Sequence, residues 1–148
     1  MSSDLPARLT VVTLGVRDFH RSVRFYEALG FARKFRATGD QIAFFDAGGV
    51  VLALFRWDDL AADARLPAAP LHQPFRGATL AWNCATPAEV DRAFARALAA
   101  GASPLRRPEP TSYGGYCGYF ADPDGHAWEA VQAPGFSFTE DGRLVLPE

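Results

Sequence analysis

The feature that most constrains the fold is a repeated order of one strand, one helix and three strands. In the first copy, the apolar segment RLTVVTLGV precedes the helical segment FHRSVRFYEALG, where Asp18 can cap the first turn and Gly30 can end the helix. Three short apolar or alternating segments follow, ARKFRAT, QIAFFDA and VVLALFRW, and turn residues separate them. This order predicts a βαβββ module.

The second copy has the same order of elements. GATLAWNC predicts a strand, and TPAEVDRAFARALAAG predicts a helix with Thr86 as N-cap, Glu89 completing a capping box and Gly101 at its end. SPLRRPEPT, YGGYCGYFADPDG and HAWEAVQA supply three more strands, and a tight DPDG turn joins the last two. We therefore predict an α+β fold of two tandem βαβββ modules.

The chain divides around these modules as one domain over residues 1–148. Module one covers about 7–57 and module two about 77–133. The linker at about 58–76 mixes acidic residues, alanine and proline without strand periodicity, and has room for one short helical turn. The tail, 134–148, is expected to return as an edge strand.

Composition excludes several classes of function. A chain of 148 residues with 49% hydrophobic content fits one folded domain, and a formal net charge of -2 without a basic run leaves no electrostatic footprint for nucleic acid. The N-terminus lacks the pattern of a signal peptide and no apolar run reaches membrane-spanning length, which predicts a cytoplasmic protein without a membrane partner. Cys84 and Cys117 lack CxxC spacing, so we expect reduced, half-buried thiols.

One carboxylate is out of place in a strand that otherwise looks buried. Glu129 lies between Trp128 and Ala130. An ionised side chain in a sealed core costs several kcal/mol unless it is paired or solvated. Glu129 therefore lines a cavity or has a partner. The preceding turn is expected to serve only the hairpin, with Asp122 and Asp124 as turn residues and the following histidine exposed.

Alternation along the strands sorts the side chains into two faces. One set is mostly large and apolar and is predicted to pack under the helices, whereas the other is smaller, includes polar groups and suits a cavity lining. The packing set is Val12, Leu14, Val16, Leu52, Leu54, Leu80, Trp82, Cys84, Trp128 and Ala130. The lining set is Val11, Thr13, Gly15, Val51, Ala53, Phe55, Thr79, Ala81, Asn83, Ala127, Glu129 and Val131.

Two segments, VRDFHRSVRFYEALGF and SYGGYCGYFADPDGHAWEAV, carry a resemblance that extends over nearly the whole chain. The chain resembles the vicinal oxygen chelate superfamily, which includes glyoxalases, bleomycin-resistance proteins and extradiol dioxygenases. The resemblance implies that the modules form a half-open, eight-stranded, barrel-like cleft for a small molecule, and that the chain forms a homodimer. It also places Tyr119, with Cys117 beside it, in that cleft. A tyrosine hydroxyl there can equally satisfy the nearby carboxylate by a hydrogen bond.

Metal-dependent members of this superfamily carry one ligand on the first and the last strand of each module. Aligning the two copies puts these positions at Val11, Ala53, Thr79 and Glu129. A divalent metal of this kind needs roughly three donors from His, Asp or Glu side chains, and these positions supply one carboxylate. The histidines His20, His72 and His126 fall elsewhere. We therefore predict no metal ligands of the family type and no cofactor.

Three hypotheses for function remain. The first, which we favour, is a binding protein that holds a small organic molecule in the cleft without a metal. The second is a metal-free enzyme that uses Glu129 as general acid or base, with Tyr119 as the other catalytic candidate. The third is a metal-dependent lyase or dioxygenase, for which the fold alone is a weak argument. The predicted ligand-binding residues are Thr13, Phe55, Thr79, Asn83, Cys117, Tyr119 and Glu129.

Overall fold

The computed structural model describes residues 5–68 and 75–148. His72 and part of the predicted linker therefore lie outside the described residues. Module one contains β1 (Val11–Val16), α1 (Phe19–Leu29), β2 (Ala32–Lys34), a short 3-10 helix (Arg36–Thr38), β3 (Ile42–Asp46) and β4 (Val51–Arg56), and α2 (Trp57–Asp63) follows it. Module two contains β5 (Thr79–Asn83), α3 (Pro87–Ala100), β6 (Ser103–Pro110), β7 (Tyr116–Ala121) and β8 (Ala127–Gln132), and β9 (Ser137–Phe138) and β10 (Leu144–Val145) end the chain.

The two predicted βαβββ modules are confirmed. Each forms a four-stranded sheet, in the orders β1-β4-β3-β2 and β5-β8-β7-β6. In each sheet the first and last strands of the module pair in parallel, and the other neighbours pair antiparallel. Among the described residues, no strand of one sheet pairs with a strand of the other, so the barrel is not closed.

The strand register is the same in both modules. Thr13 of β1 pairs with Ala53 of β4, and Ala81 of β5 pairs with Glu129 of β8. The alignment of the two repeats matches Ala53 with Glu129, and the strand pairings in the two sheets agree with that match. Ala53 and Glu129 thus occupy equivalent positions in the parallel strand pairs of the two modules.

Local signals set the ends of the two long helices. The Asp18 carboxylate accepts a hydrogen bond in the first turn of α1, and Thr86 and Glu89 form the capping box of α3. Gly30 and Gly101 follow the two helices with φ of 117° and 112°, a left-handed conformation that favours glycine. These four predicted caps are confirmed.

The predicted packing face of the sheets forms the core with α1 and α3. The Tyr26 ring of α1 contacts both modules, with centroid distances of 6.1 Å to Phe45 and 6.0 Å to Trp128. Both cysteines are free and buried, not half-buried as predicted. Val16, Leu52, Leu54, Cys84, Trp128 and Ala130 belong to this core, and Leu14, Leu80 and Trp82 pack against it.

The DPDG turn does more than close its hairpin, which corrects the prediction. Asp122 and Asp124 are 3% and 2% exposed. Asp124 accepts hydrogen bonds from the backbone N–H of Arg17 at 2.9 Å and from the Ser22 hydroxyl at 2.8 Å. The Tyr26 hydroxyl donates to Asp122 at 2.6 Å. The turn therefore holds module two to α1 of module one.

His126, predicted to be exposed, also contacts module one. Its Nε2 lies 2.8 Å from the carbonyl oxygen of Gly15, and its ring stacks on Trp57 with centroids 6.2 Å apart. The sequence showed only a histidine after a turn, because the residues that cover it lie far away in the chain.

The predictions for the linker and for the C-terminal tail, which both lack regular periodicity, need correction. The linker begins with α2, a helix of seven residues rather than a single turn. The tail forms its own two-stranded antiparallel hairpin, β9 with β10, and is not an edge strand of either large sheet. Hydrogen bonds among Thr139, Asp141 and Arg143 close the turn of this hairpin, so the two strands of the tail pair with each other. No helix in the described part of the chain is long and apolar enough to cross a membrane.

Candidate functional site

Glu129 lies on the face of the second sheet opposite the core. In register it pairs with Ala81 of β5 and with Tyr119 of β7, and Tyr119 pairs with Arg106 of β6. Because directly paired residues on neighbouring strands share a face, these four residues form a row across the sheet. Glu129 and Tyr119 are partly buried, and Ala81 and Arg106 are exposed.

Glu129 has a close partner in a neighbouring thiol. Cys117 Sγ donates to Glu129 Oε1 at 3.1 Å, and the cysteine is 1% exposed. Burial first, and then the hydrogen bond to Glu129 and its charge, raise the pKa of the Cys117 thiol to about 11. The thiol is therefore protonated at neutral pH and acts as a donor to the carboxylate.

Tyr119 and Arg106 complete this cluster. Burial raises the pKa of the Tyr119 hydroxyl, and the charge of Glu129 and a hydrogen bond to it act in the same direction. The guanidinium of Arg106 lies over the Tyr119 ring, 5.2 Å from its centroid. We call Arg106, Cys117, Tyr119 and Glu129 the Glu129 cluster.

The Cys117 and Tyr119 side chains are better suited to donating hydrogen bonds than to exchanging protons near neutral pH. An efficient general acid or base has a pKa near the working pH. The pKa values of the Cys117 and Tyr119 side chains move away from neutrality. The cluster therefore holds the Glu129 carboxylate between two protonated side chains, with the Arg106 cation on the same face.

The other predicted ligand residues lie on both sheets. Asn83 pairs with Val131, which in turn pairs with Cys117, so this row lies next to that of Glu129. Thr79 is exposed on β5. Five of the seven predicted residues thus share the second sheet, whereas Thr13 and Phe55 lie on β1 and β4 of the first sheet.

Comparison with known proteins decides the family. The sequence profile of the Glyoxalase/Bleomycin resistance protein/Dioxygenase superfamily matches residues 8–130. The chain belongs to this superfamily. A glyoxalase-related enzyme from Fulvimarina pelagi has 34% identity, a TM-score of 0.85, and coverage of 95% of this chain and 99% of its own.

Other solved structures are also similar to this chain. A glyoxalase/bleomycin resistance protein/dioxygenase from Nocardioides has 28% identity and a TM-score of 0.72, with 90% of this chain and 88% of that chain covered. A lactoylglutathione lyase from Agrobacterium tumefaciens has 23% identity and a TM-score of 0.63, with 86% and 94% covered, which shows the fold alone. No curated protein matches the chain.

The residues at the positions that the repeat alignment and the family resemblance assign to metal ligands do not fit a metal. Val11, Ala53 and Thr79 offer two alkyl groups and a hydroxyl, and Glu129 offers the single carboxylate. Within residues 5–68 and 75–148, no group of three His, Cys, Asp or Glu side chains is placed to hold a metal ion. No step of chemistry in this chain can be derived through a metal at these positions.

Arg106 is a residue of the cluster that the sequence did not reveal. It lies in SPLRRPEPT, where β6 has register irregularities on both sides of Arg106. Such bulges break the alternation of faces, so counting along the strand cannot assign an outward side chain. Only the pairing with β7 places Arg106 beside Tyr119.

A separate cavity of about 640 Å³ has walls from both predicted faces of the sheets. Several of its walls were predicted to be packed core, and of these Leu52 and Trp128 also belong to the core of the structure. Of the seven predicted ligand residues, Asn83 lines this cavity and the other six do not. The walls from the predicted packing set are Val12, Leu52, Leu80, Trp82 and Trp128.

Proposed function

We propose that this chain binds a small organic molecule on the Glu129 face of the second sheet, in the cleft of the glyoxalase-type fold, without a metal centre of the family type. The observation that carries the proposal is the Glu129 cluster. A half-buried carboxylate with two protonated neighbours and a flanking guanidinium can bind a ligand that donates hydrogen bonds.

Two alternatives have weaker support. A metal-free enzyme would use Glu129 as general acid or base with Tyr119 as the second group, and burial moves the pKa of Tyr119 away from neutrality, which disfavours Tyr119 in that role. A metal-dependent lyase or dioxygenase needs donors that the positions of Val11, Ala53 and Thr79 do not supply.

We also propose that the working form is a cytoplasmic homodimer. Val11, Thr79 and Ala81 belong to the predicted lining set and are exposed in the single chain. A second copy that covers this face would shield the ligand from water. Sedimentation velocity at micromolar protein concentration tests this part, and a monomer that still binds ligand with full affinity would contradict it.

A thermal-shift panel identifies the ligand. The panel contains glutathione adducts, catechols, and glycopeptide and phosphonate antibiotics, each screened on the wild-type protein. A ligand at a hundredfold excess over its Kd stabilises the fold by about 2.7 kcal/mol, which is readily detected. Calorimetry then compares each hit in Glu129→Gln and in Glu140→Gln, a matched substitution at an exposed residue outside the cluster.

The expected result is a loss of about thirtyfold in affinity for Glu129→Gln, equivalent to about 2 kcal/mol, with no loss for Glu140→Gln. A hit that binds Glu129→Gln as well as wild type would refute the assignment of the site. Turnover of a panel compound that Glu129→Gln abolishes would favour the enzyme hypothesis instead.

A further inference from the structure

A cavity at the junction of the two modules is distinct from the Glu129 cluster. Its walls come from β1, the end of α1, the start of β4, from β5, α3 and β8, and from the C-terminal hairpin, and Arg96 is the residue of α3 among them. Cys117, Tyr119 and Glu129 do not line it. The cavity therefore offers a second place for a ligand, formed by both modules.

The walls of this cavity fit a flat apolar body. Four aromatic side chains line it, Phe31, Trp82, Trp128 and Phe138. Phe31 and Trp128 have ring centroids 6.0 Å apart with an interplanar angle of 40°. A volume of about 640 Å³ lies within the range of roughly 300 to 1,000 Å³ that is typical of small-molecule sites.

The charges at the cavity all have one sign. Among its described lining residues, the charged side chains are Arg96 and Arg143, and no acidic residue is present. Arg143 pairs with Asp141 at 3.1 Å, which offsets its charge. Arg96 lies over the Trp82 ring at 5.8 Å, and none of the described carboxylates lies within ion-pair distance of it.

Arg96 is held in place at the cavity edge. Its Nη1 donates to the carbonyl oxygen of Leu29 at 3.4 Å, at the last turn of α1. The guanidinium is thus anchored by one hydrogen bond and one aromatic face, and it retains donors for a ligand. An anionic group bound there would place its hydrocarbon body against Trp82.

We propose that this cavity binds a small aromatic anion, a carboxylate or sulfonate on a flat ring system, with Arg96 as the group that recognises the charge. The site is independent of the ligand proposed for the Glu129 cluster. Charge complementarity selects the anion, and the aromatic walls select the ring.

Calorimetric titration with naphthalene-2-sulfonate and with its neutral isostere, naphthalene-2-sulfonamide, tests the proposal. We expect one equivalent of the sulfonate to bind the wild-type protein more tightly than the sulfonamide. Arg96→Gln should weaken the sulfonate about tenfold and change the sulfonamide less than about twofold. Arg96→Lys, which keeps the charge, should preserve the preference for the anion.

Two controls separate this site from others. Arg24→Gln removes an exposed arginine of α1 that does not line the cavity, and Glu129→Gln alters the other proposed site. Both variants should bind the sulfonate as wild type does. Absence of sulfonate binding at millimolar concentration, equal binding of the two probes, or loss of binding in Glu129→Gln would each overturn the proposal.

Discussion

Removal of the Tyr26 hydroxyl should destabilise the fold strongly, because that hydroxyl joins the two modules. It is fully buried, donates to Asp122 Oδ2 at 2.6 Å and accepts from Trp128 Nε1 at 3.1 Å. Tyr26→Phe keeps the ring and its packing but leaves the carboxylate with one donor fewer and the indole N–H without its acceptor. The loss is therefore one of hydrogen bonding alone.

The expected magnitude follows from these two bonds. A hydrogen bond to a charged group contributes about 1.5 to 3 kcal/mol, and a buried donor left unsatisfied costs about 1 to 3 kcal/mol. We expect Tyr26→Phe to lower the free energy of unfolding by about 3 kcal/mol. For a chain of 148 residues, this corresponds to a fall in Tm of about 10 °C.

The cost should also depend on pH. Burial raises the pKa of Asp122, so the folded state binds a proton on this carboxyl group more tightly than the unfolded state does. The fold therefore loses stability as the pH rises through the folded pKa of Asp122. The hydrogen bond from Tyr26 opposes that shift. Without this hydrogen bond the pKa of Asp122 should rise further, so the cost of Tyr26→Phe should become smaller as the pH is lowered.

Urea denaturation followed by tryptophan fluorescence measures these differences, with Tyr116→Phe as a matched control. The Tyr116 hydroxyl also donates to an aspartate, Asp91, at 2.8 Å, but this hydrogen bond is exposed to solvent. Water can replace it, so the control should cost about 0.5 kcal/mol. Equal costs for the two variants, or a cost for Tyr26→Phe that grows as the pH is lowered, would refute the role assigned to the inter-module bond.

Three further predictions concern the two sheet faces and the thiols. Trp128→Ala should lower the free energy of unfolding, measured by urea denaturation, by about 3 to 5 kcal/mol because a large buried ring is lost. Thr79→Ala, at an exposed site, should change it very little. The reverse ranking would mean that the two faces are misassigned. Burial, and then the charge of neighbouring carboxylates, raise the pKa of both Cys84 and Cys117 to about 11. Iodoacetamide should therefore alkylate these thiols at pH 8 roughly a hundredfold more slowly in the native protein than in the urea-unfolded protein. Equal alkylation rates, measured by mass spectrometry, would disprove this prediction. Elemental analysis after dialysis should find no stoichiometric zinc, nickel, iron or manganese, and one equivalent of metal that Glu129→Gln removes would contradict the metal-free site.

Much of the fold could be predicted because its signals are local. Capping residues such as Asp18 and Thr86 act within one helical turn, and alternation along a strand shows which side chains share a face. The repeat then aligned Ala53 with Glu129, and the strand register agrees with that alignment. These properties depend on neighbours in sequence, so the sequence by itself determined the two modules and their packing face.

The tertiary structure decided what lies against each face. The hydrogen bond between Tyr26 and Asp122 joins residues 96 positions apart, and no local pattern marks such a pair. Arg106 reaches Tyr119 only because irregularities in β6 change its register, and the cavity beside Arg96 exists only where two modules and the C-terminal hairpin meet. Alternation shows on which side of a strand a side chain lies, but the partner on that side depends on the path of the whole chain.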